Sequence, residues 1–407
     1  MAELRARYES WREARERVRL ARGRGLEPDE QPERIDDAYG DVTGGGALAR
    51  EEGRFRLGLV QAALASELRD ADARIARRSA AGASADELDE LRADRVAERS
   101  AALARFGFAT ARKFAEALRP GVDFDYWRRE AERFLANSDS RLRDAERGPG
   151  GSATLGAELP SGRLRAALDF ALEGMQLELE RLPMLEIDGE PRPDKLALSF
   201  AVAPRVPDDV WLVQANASGV GAASELFAAA GMALHAAFTS PALALEKRVL
   251  GDPGTPLAFG EALRALLCEP ALGATLAGLT REHFAGAVRR ARLTALRQTA
   301  SRVATELRLA ELDAGAAPGS WDEPGFLGSA GPALSSVDAL RAAAFGGLFA
   351  RGLRDRFGRE YWKSRAPGEL WKELWNTGTS YGPEELAREL SLGPLGSEAL
   401  LEGDVAL

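Results

Sequence analysis

The sequence predicts a mainly α-helical protein with one small antiparallel β-sheet midway along the chain. Apolar residues recur at three- and four-residue spacing over most of the 407 residues, which is the period of an amphipathic helix. Strand-like sequence is concentrated in 183–219, where LALSFAV (196–202) and VWLVQA (210–215) flank the turn-rich APRVPDD. Hydrophobic residues make up 45% of the chain, which is enough for a buried core.

The N-terminal third is predicted to be helical throughout. The helical stretches are 47–80, 85–106, 108–119 and 123–147. Ser84 is the predicted N-cap of the second stretch, and acidic residues fill the first turn after it. A glycine-rich stretch at 148–162 is typical of a connection. We therefore expect one helical region at 1–150 and a second region at 151–407.

The second region is predicted to hold the sheet within further helices. EIDGEPRPD (186–194) indicates a turn at Asp188-Gly189, ahead of the strand pair. The predicted helices are 163–182, 222–238, 258–268, 279–312, 336–357, 367–376 and 383–391. No repeat of 20–50 residues is visible, so a solenoid is not expected.

Composition excludes several classes of protein. The net charge of -9, with arginines interleaved among acidic residues, argues against nucleic acid as a partner. Cys268 is the single cysteine, so an internal disulfide is not possible. We find no apolar run of 18 residues and no signal-peptide pattern at the N-terminus, and therefore expect a cytoplasmic protein that does not bind membranes. Heavy use of Ala, Arg, Gly and Leu suggests a bacterial source.

The stretch ELFAAAGMALHAAFTS (225–240) predicts a helix that is apolar almost all round and carries one histidine. It resembles the active-site helix of the thimet oligopeptidase and oligoendopeptidase F family of zinc metallopeptidases, where the pattern is L-F-H-E-x-G-H-x-x-H. The positions that match are Leu226, Phe227, Gly231 and His235. The family's His, Glu and His are replaced by Ala228, Ala229 and Met232.

These replacements remove the chemistry that the pattern provides. In H-E-x-x-H the two histidines ligate zinc, and the glutamate between them is the general base for the metal-bound water. Alanine has no lone pair to offer, and a methionine thioether suits copper(I) rather than zinc. The family's third ligand is a Glu in a pattern like L-G-D-N-S-x-T-E-G-Y-A. In LGDPGTPLAFG (250–260) that position is Leu257, and Glu261 one turn later is either a displaced ligand or an ordinary surface or capping acid.

The resemblance extends over about 160–400 and also involves 192–213, 295–312 and 354–395. It implies a helical metallopeptidase-like fold with a central cleft, in which 1–150 forms one wall and the small sheet precedes the former active-site helix. The family stabilises the oxyanion with tyrosines and sometimes a histidine. This chain has no tyrosine between Tyr126 and Tyr361, and its only other histidine is His283.

Several single residues admit two interpretations each. His235 is either a leftover ligand or a packed, hydrogen-bonded side chain, and Glu225 is a further candidate residue of the cleft. Met232 is half of a copper site or a core filler, and Cys268 a nucleophile or a buried structural thiol. One aromatic set could line a peptide groove or pack the C-terminal helices: Tyr361, Trp362, Trp371, Trp375 and Tyr381.

Taken together, the resemblance predicts a metallopeptidase homologue that has lost its activity, holds no zinc or other cofactor, and binds a peptide, a protein partner or an active relative. Two alternatives remain at this point. One is a helical scaffold without a ligand, and the other is a residual zinc-dependent metalloendopeptidase. In each case we expect Ala228, Ala229, Met232 and Leu257 to lie close together and mostly buried.

Overall fold

The computed structural model describes residues 2–28, 50–147, 159, 161–269, 272, 281–311 and 334–402. The glycine-rich stretch 44–46, most of the predicted connection at 148–162 and the side chain of His283 lie outside this part of the chain.

Helices account for most of the described residues, as predicted. The helices before the sheet are α1 (Ala2–Gly23), α2 (Arg50–Glu67), α3 (Arg69–Ala80), α4 (Ala85–Arg105), α5 (Ala111–Leu118), α6 (Phe124–Arg147) and α7 (Ser161–Glu173). The predicted helix at 47–80 is two helices that meet at Leu68. The Ser84 cap is confirmed, because its hydroxyl accepts a hydrogen bond from the Glu87 amide at 3.3 Å.

The helices after the sheet also follow the predicted order. They are α8 (Gly219–Phe238), α9 (Leu245–Arg248), α10 (Gly254–Arg264), α11 (Arg281–Glu311), α12 (Ser335–Phe357), α13 (Arg365–Trp375), α14 (Pro383–Glu389) and α15 (Ser397–Leu401). Three short 3-10 turns lie at Leu179–Arg181, Ala265–Cys268 and Tyr361–Lys363. The predicted helix at 258–268 therefore begins earlier and ends in a tighter turn.

The sheet has three strands in the order β1-β3-β2, where β1 is Leu185–Asp188, β2 is Phe200–Arg205 and β3 is Asp209–Val213. The predicted antiparallel pair is confirmed as β2 and β3, with Phe200 opposite Val213. The expectation of a purely antiparallel sheet is wrong, because β1 pairs with β3 in parallel. The turn predicted at Asp188-Gly189 is not found there, because Asp188 is the last of four residues that pair with β3, and the first turn after this strand lies at 193–194.

The chain divides into two compact units, each assembled from separate segments. The first contains 1–8, 33–129 and 300–337, and its buried side chains include Phe55, Leu59 and Phe114. The second contains 9–32, 130–299 and 338–407 and includes the sheet, α8, α10 and α13. The division into 1–150 and 151–407 remains a prediction.

Helix α8 is apolar because it lies in the core of the second unit. It packs against β2, β3, α7, α10 and α13, so little of its surface is left for polar side chains. It is the one helix of the described residues that is long and apolar enough to cross a bilayer, yet 72% of its most apolar window is buried inside the protein. Such burial is typical of a core helix rather than of a membrane span.

Candidate functional site

The candidate site is the corner formed by α8, the loop after it and α10. Helix α8 begins at Gly219, after the extended residue Ser218, and ends before Thr239. The Thr239 hydroxyl donates to the His235 carbonyl oxygen at 2.8 Å, which satisfies one of the last carbonyl groups of the helix. Strands β2 and β3 form part of the surface on which α8 rests.

Helices α8 and α10 are in backbone contact, and two glycines allow it. A Cβ atom added to Gly231 would lie 2.4 Å from the Phe259 carbonyl oxygen and 2.9 Å from the Gly260 Cα. A Cβ added to Gly260 would lie 2.9 Å from the Ala228 carbonyl oxygen and 3.2 Å from the Met232 Cγ. Real Cβ atoms do not approach other atoms so closely, so both positions require glycine at this separation of the helices.

This contact brings two of the former ligand positions, Ala228 and Met232, onto one residue of α10, Gly260. Ala228 and Ala229 are buried, with exposed fractions of 6% and 1%. Met232 and Leu257 are less completely buried, but the greater part of each residue is inaccessible to solvent, so all four positions are mostly buried, as expected. Leu257 lies about one turn before Gly260 on α10.

His235 is buried, with an exposed fraction of 3%, and has an aromatic and a polar partner. Its Nε2 lies 3.0 Å from the Gly378 carbonyl oxygen, to which it donates, and its ring stacks on Phe259 at 5.0 Å between centroids. Burial lowers the pKa of the imidazole to about 4, against the opposing effect of the Gly378 carbonyl. His235 is therefore neutral at pH 7 and occupies the position of a packed, hydrogen-bonded side chain.

The two candidate acids of the site differ in their surroundings. Glu261 makes an ion pair with Arg264 on the same helix at 2.5 Å, and Arg264 also donates to the Ser224 carbonyl oxygen at 3.1 Å. The Glu261 carboxylate is thus engaged in joining α10 to α8. Glu225 is half-buried. Neither acid is part of a group of side chains that could hold a metal ion, within the part of the chain that the structure describes.

The segment 376–381, which follows α13, fixes the corner between α8 and α10. In addition to the Gly378 bond to His235, the Asn376 carbonyl oxygen accepts from the Ser240 amide at 3.3 Å. The Thr379 carbonyl oxygen accepts a hydrogen bond from the Asp252 amide at 3.1 Å, and the Thr379 hydroxyl accepts one from the Gly251 amide at 2.9 Å. These bonds hold the loop before α10 at a fixed position relative to α8.

Asp252, the last residue of the Leu250-Gly251-Asp252 stretch, has a structural role at the start of α10. Its carboxylate accepts from the Gly254 amide at 2.7 Å, at the start of α10, and from both terminal nitrogens of Arg341 on α12, at 3.0 and 2.7 Å. Arg341 is 1% exposed and also binds Asp338 and Glu384. Sequence reasoning missed this network, since Glu384 and Asp252 lie 43 and 89 residues from Arg341, and only Asp338 is a near neighbour, at (i, i+3).

The aromatic set is mainly a packing cluster. Tyr361, Trp362, Trp371 and Trp375 are at most 1% exposed, whereas Tyr381 is 44% exposed. Trp375 stacks on Phe238 of α8, and Trp371 lies edge-on to Phe349 of α12. The four buried rings therefore cannot line an open groove as they stand. Cys268 is partly buried.

The residues at the corner do not fit zinc. The donor set that zinc prefers is imidazole, thiolate and carboxylate, in tetrahedral arrangement. At the α8 and α10 contact, Ala228 carries a methyl group and Met232 a thioether, and His235 donates from its Nε2 to a backbone carbonyl oxygen. No group of three or more His, Cys, Asp or Glu side chains in the described residues is arranged to hold a metal ion.

Comparison with solved structures identifies the fold. The chain is similar to the carboxypeptidase of Pyrococcus furiosus, with 12% identity, a TM-score of 0.61, and 91% of this chain and 86% of that chain covered. The M32 carboxypeptidase of Deinococcus radiodurans R1 gives 14% identity, a TM-score of 0.56, and coverage of 90% and 85%. An oligoendopeptidase F gives 14% identity, a TM-score of 0.54, and coverage of 99% and 73%.

These similarities show that the chain has the helical fold of M32 carboxypeptidases and oligoendopeptidase F, as the sequence resemblance predicted. The resemblance was predicted for about 160–400, and the structural similarity spans nine-tenths or more of the chain. No protein family matches the sequence, and no curated protein is significantly similar to it.

Proposed function

We propose that this chain is a catalytically inactive metallopeptidase homologue that binds a peptide or a protein partner. The observation that carries the proposal is the contact of α8 with α10. Ala228 and Met232 contact Gly260 of α10 and stand where the family that the sequence resembles has its two zinc-binding histidines, so a methyl group and a thioether replace two imidazoles. The general-base position is Ala229, and the third ligand position is Leu257.

The loss affects every role at once, which favours inactivity over a rearranged active site. A zinc peptidase needs ligands to hold the metal, a base to activate water and donors to stabilise the oxyanion. Each of these roles lacks its side chain in this sequence. The former site is instead occupied by apolar packing, and burial of apolar side chains stabilises a fold, whereas burial of unpaired polar groups destabilises it.

Partner binding is proposed because the fold is kept while the reactive side chains are absent. Leu196 and Leu198, just before β2, are 46% and 47% exposed, and they are two of the few large apolar side chains that reach the surface in the described residues. They give a candidate contact surface for an apolar peptide segment. An active relative of this chain is a second candidate partner. We also propose that the protein is cytoplasmic.

The inactivity is tested by restoring the four missing groups together. The variant is Ala228→His, Ala229→Glu, Met232→His and Leu257→Glu. We expect it to bind zinc in calorimetric titration where the parent does not, because positions 228 and 232 are four residues apart on one helix face. The same variant without Leu257→Glu should bind zinc more weakly. Hydrolysis should stay poor, since oxyanion donors are still missing.

Two results of this experiment would contradict the proposal. No gain in zinc affinity in a folded variant would mean that the four positions do not converge. Efficient hydrolysis of peptides by the parent would make it a metalloendopeptidase after all.

Partner binding is tested separately, with a tryptic digest of casein as the probe. The double variant Leu196→Asp/Leu198→Asp should lose peptide binding that the parent and the matched control Phe170→Asp retain, since Phe170 is a comparably exposed apolar side chain on α7. If the parent retains no casein peptide at all, the scaffold without a ligand becomes the better description.

A further inference from the structure

The first unit contains a cavity of about 490 Å³ that is independent of the α8 and α10 corner. Its walls are the N-terminal half of α2, the end of α4 and the end of α5. The lining residues are Gly53, Arg54, Arg56, Leu57, Val60, Phe106, Gly107, Phe108, Ala117 and Pro120. All of them belong to the segment 33–129 of the first unit. A volume of this size is within the range of about 300–1,000 Å³ found for small-molecule sites.

The shape of the cavity follows from local structure. Leu57 and Val60 lie three residues apart and form an apolar stripe along α2. Helix α4 ends at Arg105, and the Phe108 amide then bonds back to the Leu103 carbonyl oxygen at 3.0 Å, with Gly107 in the left-handed region at a φ of 82°. This turn places Phe106, Gly107 and Phe108 on the wall of the cavity.

The ring of Phe108 packs against the core of the first unit. It lies edge-on to the ring of Phe114, a fully buried residue of α5, at 5.1 Å between centroids. The phenylalanine wall is therefore supported by the core. Beside Gly53 and Gly107 the cavity has open space, because a Cβ added to either residue would meet no atom within 4 Å. An apolar group bound in this space would contact the phenylalanine wall.

The cavity differs from a gap in packing because two arginines without a described partner line it. Arg54 and Arg56 flank the apolar stripe of α2, and both are half-buried. Among the residues that the structure describes, neither makes an ion pair, a hydrogen bond or a stacking contact with an aromatic ring.

Arginines elsewhere in this unit do have acidic partners. Arg112, for example, is held by Asp125 at 2.7 Å and by Glu116 at 3.0 Å. The chain as a whole carries a net charge of -9, so carboxylates are in excess over basic groups. Within the described residues these two half-buried guanidinium groups have no carboxylate partner, so their ten N–H donors are available to an incoming acidic group.

We propose that this cavity binds a small amphipathic anion, in which one acidic head group is joined to a hydrocarbon chain or an aromatic body. Arg54 and Arg56 take the head group, because guanidinium groups bind carboxylate and phosphate oxygens through paired N–H donors. Leu57, Val60, Phe106 and Phe108 cover the apolar body. The two wall types together select against neutral polar molecules and against cations. This proposal does not rest on the function proposed above.

The test uses the full-length chain and four ten-carbon probes, kept below the concentrations at which they form micelles. Decanoate and decyl phosphate carry the acidic head group, decanol is neutral, and decyltrimethylammonium is cationic. Affinities are measured by isothermal titration calorimetry. We expect at least one of the two anions to bind about tenfold or more tightly than decanol, since a charge-assisted bond contributes about this factor. The ranking of the two anions identifies the head group.

Three variants connect any binding to this cavity. Arg54→Gln/Arg56→Gln should weaken binding of the anion about tenfold or more and leave that of decanol unchanged. Gly53→Leu should abolish binding of both by filling the open space, and it is compatible with the helix because leucine is a better helix former than glycine. Arg290→Gln, at a half-buried arginine of α11 in the second unit, is the matched control and should change nothing.

Three results would overturn the proposal. They are no binding of either anion, equal affinity for the anions and decanol, and binding that Arg54→Gln/Arg56→Gln and Gly53→Leu leave unchanged. Circular dichroism of each variant establishes that it is folded. Should Gly53→Leu fail to fold, the arginine variant and the comparison of probes on the parent decide the question without it.

Discussion

Replacing Gly231 with alanine tests the backbone contact that defines the α8 and α10 corner. The added Cβ would lie 2.4 Å from the Phe259 carbonyl oxygen, 2.9 Å from the Gly260 Cα and 3.0 Å from the Leu263 Cβ. The first two are backbone atoms of a helix and cannot rotate away. The two helices must therefore separate, although each is packed against other elements of the second unit.

The magnitude follows from two opposing effects. Overpacking of a well-packed core costs about 1–3 kcal/mol, and contact with rigid backbone places Gly231→Ala at the upper end. Alanine in place of glycine in a helix interior gains about 1 kcal/mol. We therefore expect a net loss of about 2 kcal/mol, which corresponds to a fall of roughly 4–8 °C in the melting temperature of a unit of this size.

The matched control is Gly53→Ala. Gly53 is also inside a helix, but a Cβ there meets nothing within 4 Å, so only the gain in helix stability applies. Both variants are measured by differential scanning calorimetry at one pH. If Gly231→Ala melts at or above the temperature of the parent while Gly53→Ala behaves as expected, α8 and α10 do not pack as closely as described.

Two further predictions concern buried charge. The pKa of His235 is about 4 in the folded protein and 6.5 in the unfolded chain, so the unfolded chain binds more protons between these two pH values. The free energy of unfolding should therefore fall by about 3 kcal/mol as the pH drops from 6.5 to 4. His235→Gln should flatten this part of a plot of melting temperature against pH. Arg341→Met should lower the free energy of unfolding by about 3–5 kcal/mol at pH 7, because it leaves three carboxylates without their shared counter-charge. Urea titration at pH 7 measures this loss, and the exposed Arg388→Met is the control that should show almost none.

Local patterns in the sequence were sufficient to predict the helices and the β2–β3 pair. The helical period and the strand-turn-strand pattern at 196–215 involve neighbours in the chain, and both appear with boundaries shifted by a few residues. The third strand was missed because β1 is four residues long and its pairing depends on β3, which lies about 20 residues further along. A strand so short has no period of its own to detect.

The residue types of the candidate site could be predicted from the sequence, but the contacts that hold them in place could not. The residue types at Ala228, Ala229, Met232 and Leu257 follow from the sequence alone. The Gly378 carbonyl that binds His235 is 143 residues away, and a backbone acceptor leaves no mark on the sequence. The partial exposure that Met232 and Leu257 keep also depends on how α8 and α10 meet, which the apolar pattern of each helix does not specify.

The central claim is that the α8 and α10 corner no longer supports metal-dependent hydrolysis. One purified sample of the unmodified chain, equilibrated with zinc and then dialysed, tests it most directly. Bound zinc is measured by mass spectrometry and hydrolysis with a quenched fluorescent peptide, with and without a chelator. We predict zinc well below one ion per chain and no hydrolysis that the chelator abolishes. Stoichiometric zinc together with chelator-sensitive hydrolysis would contradict the account.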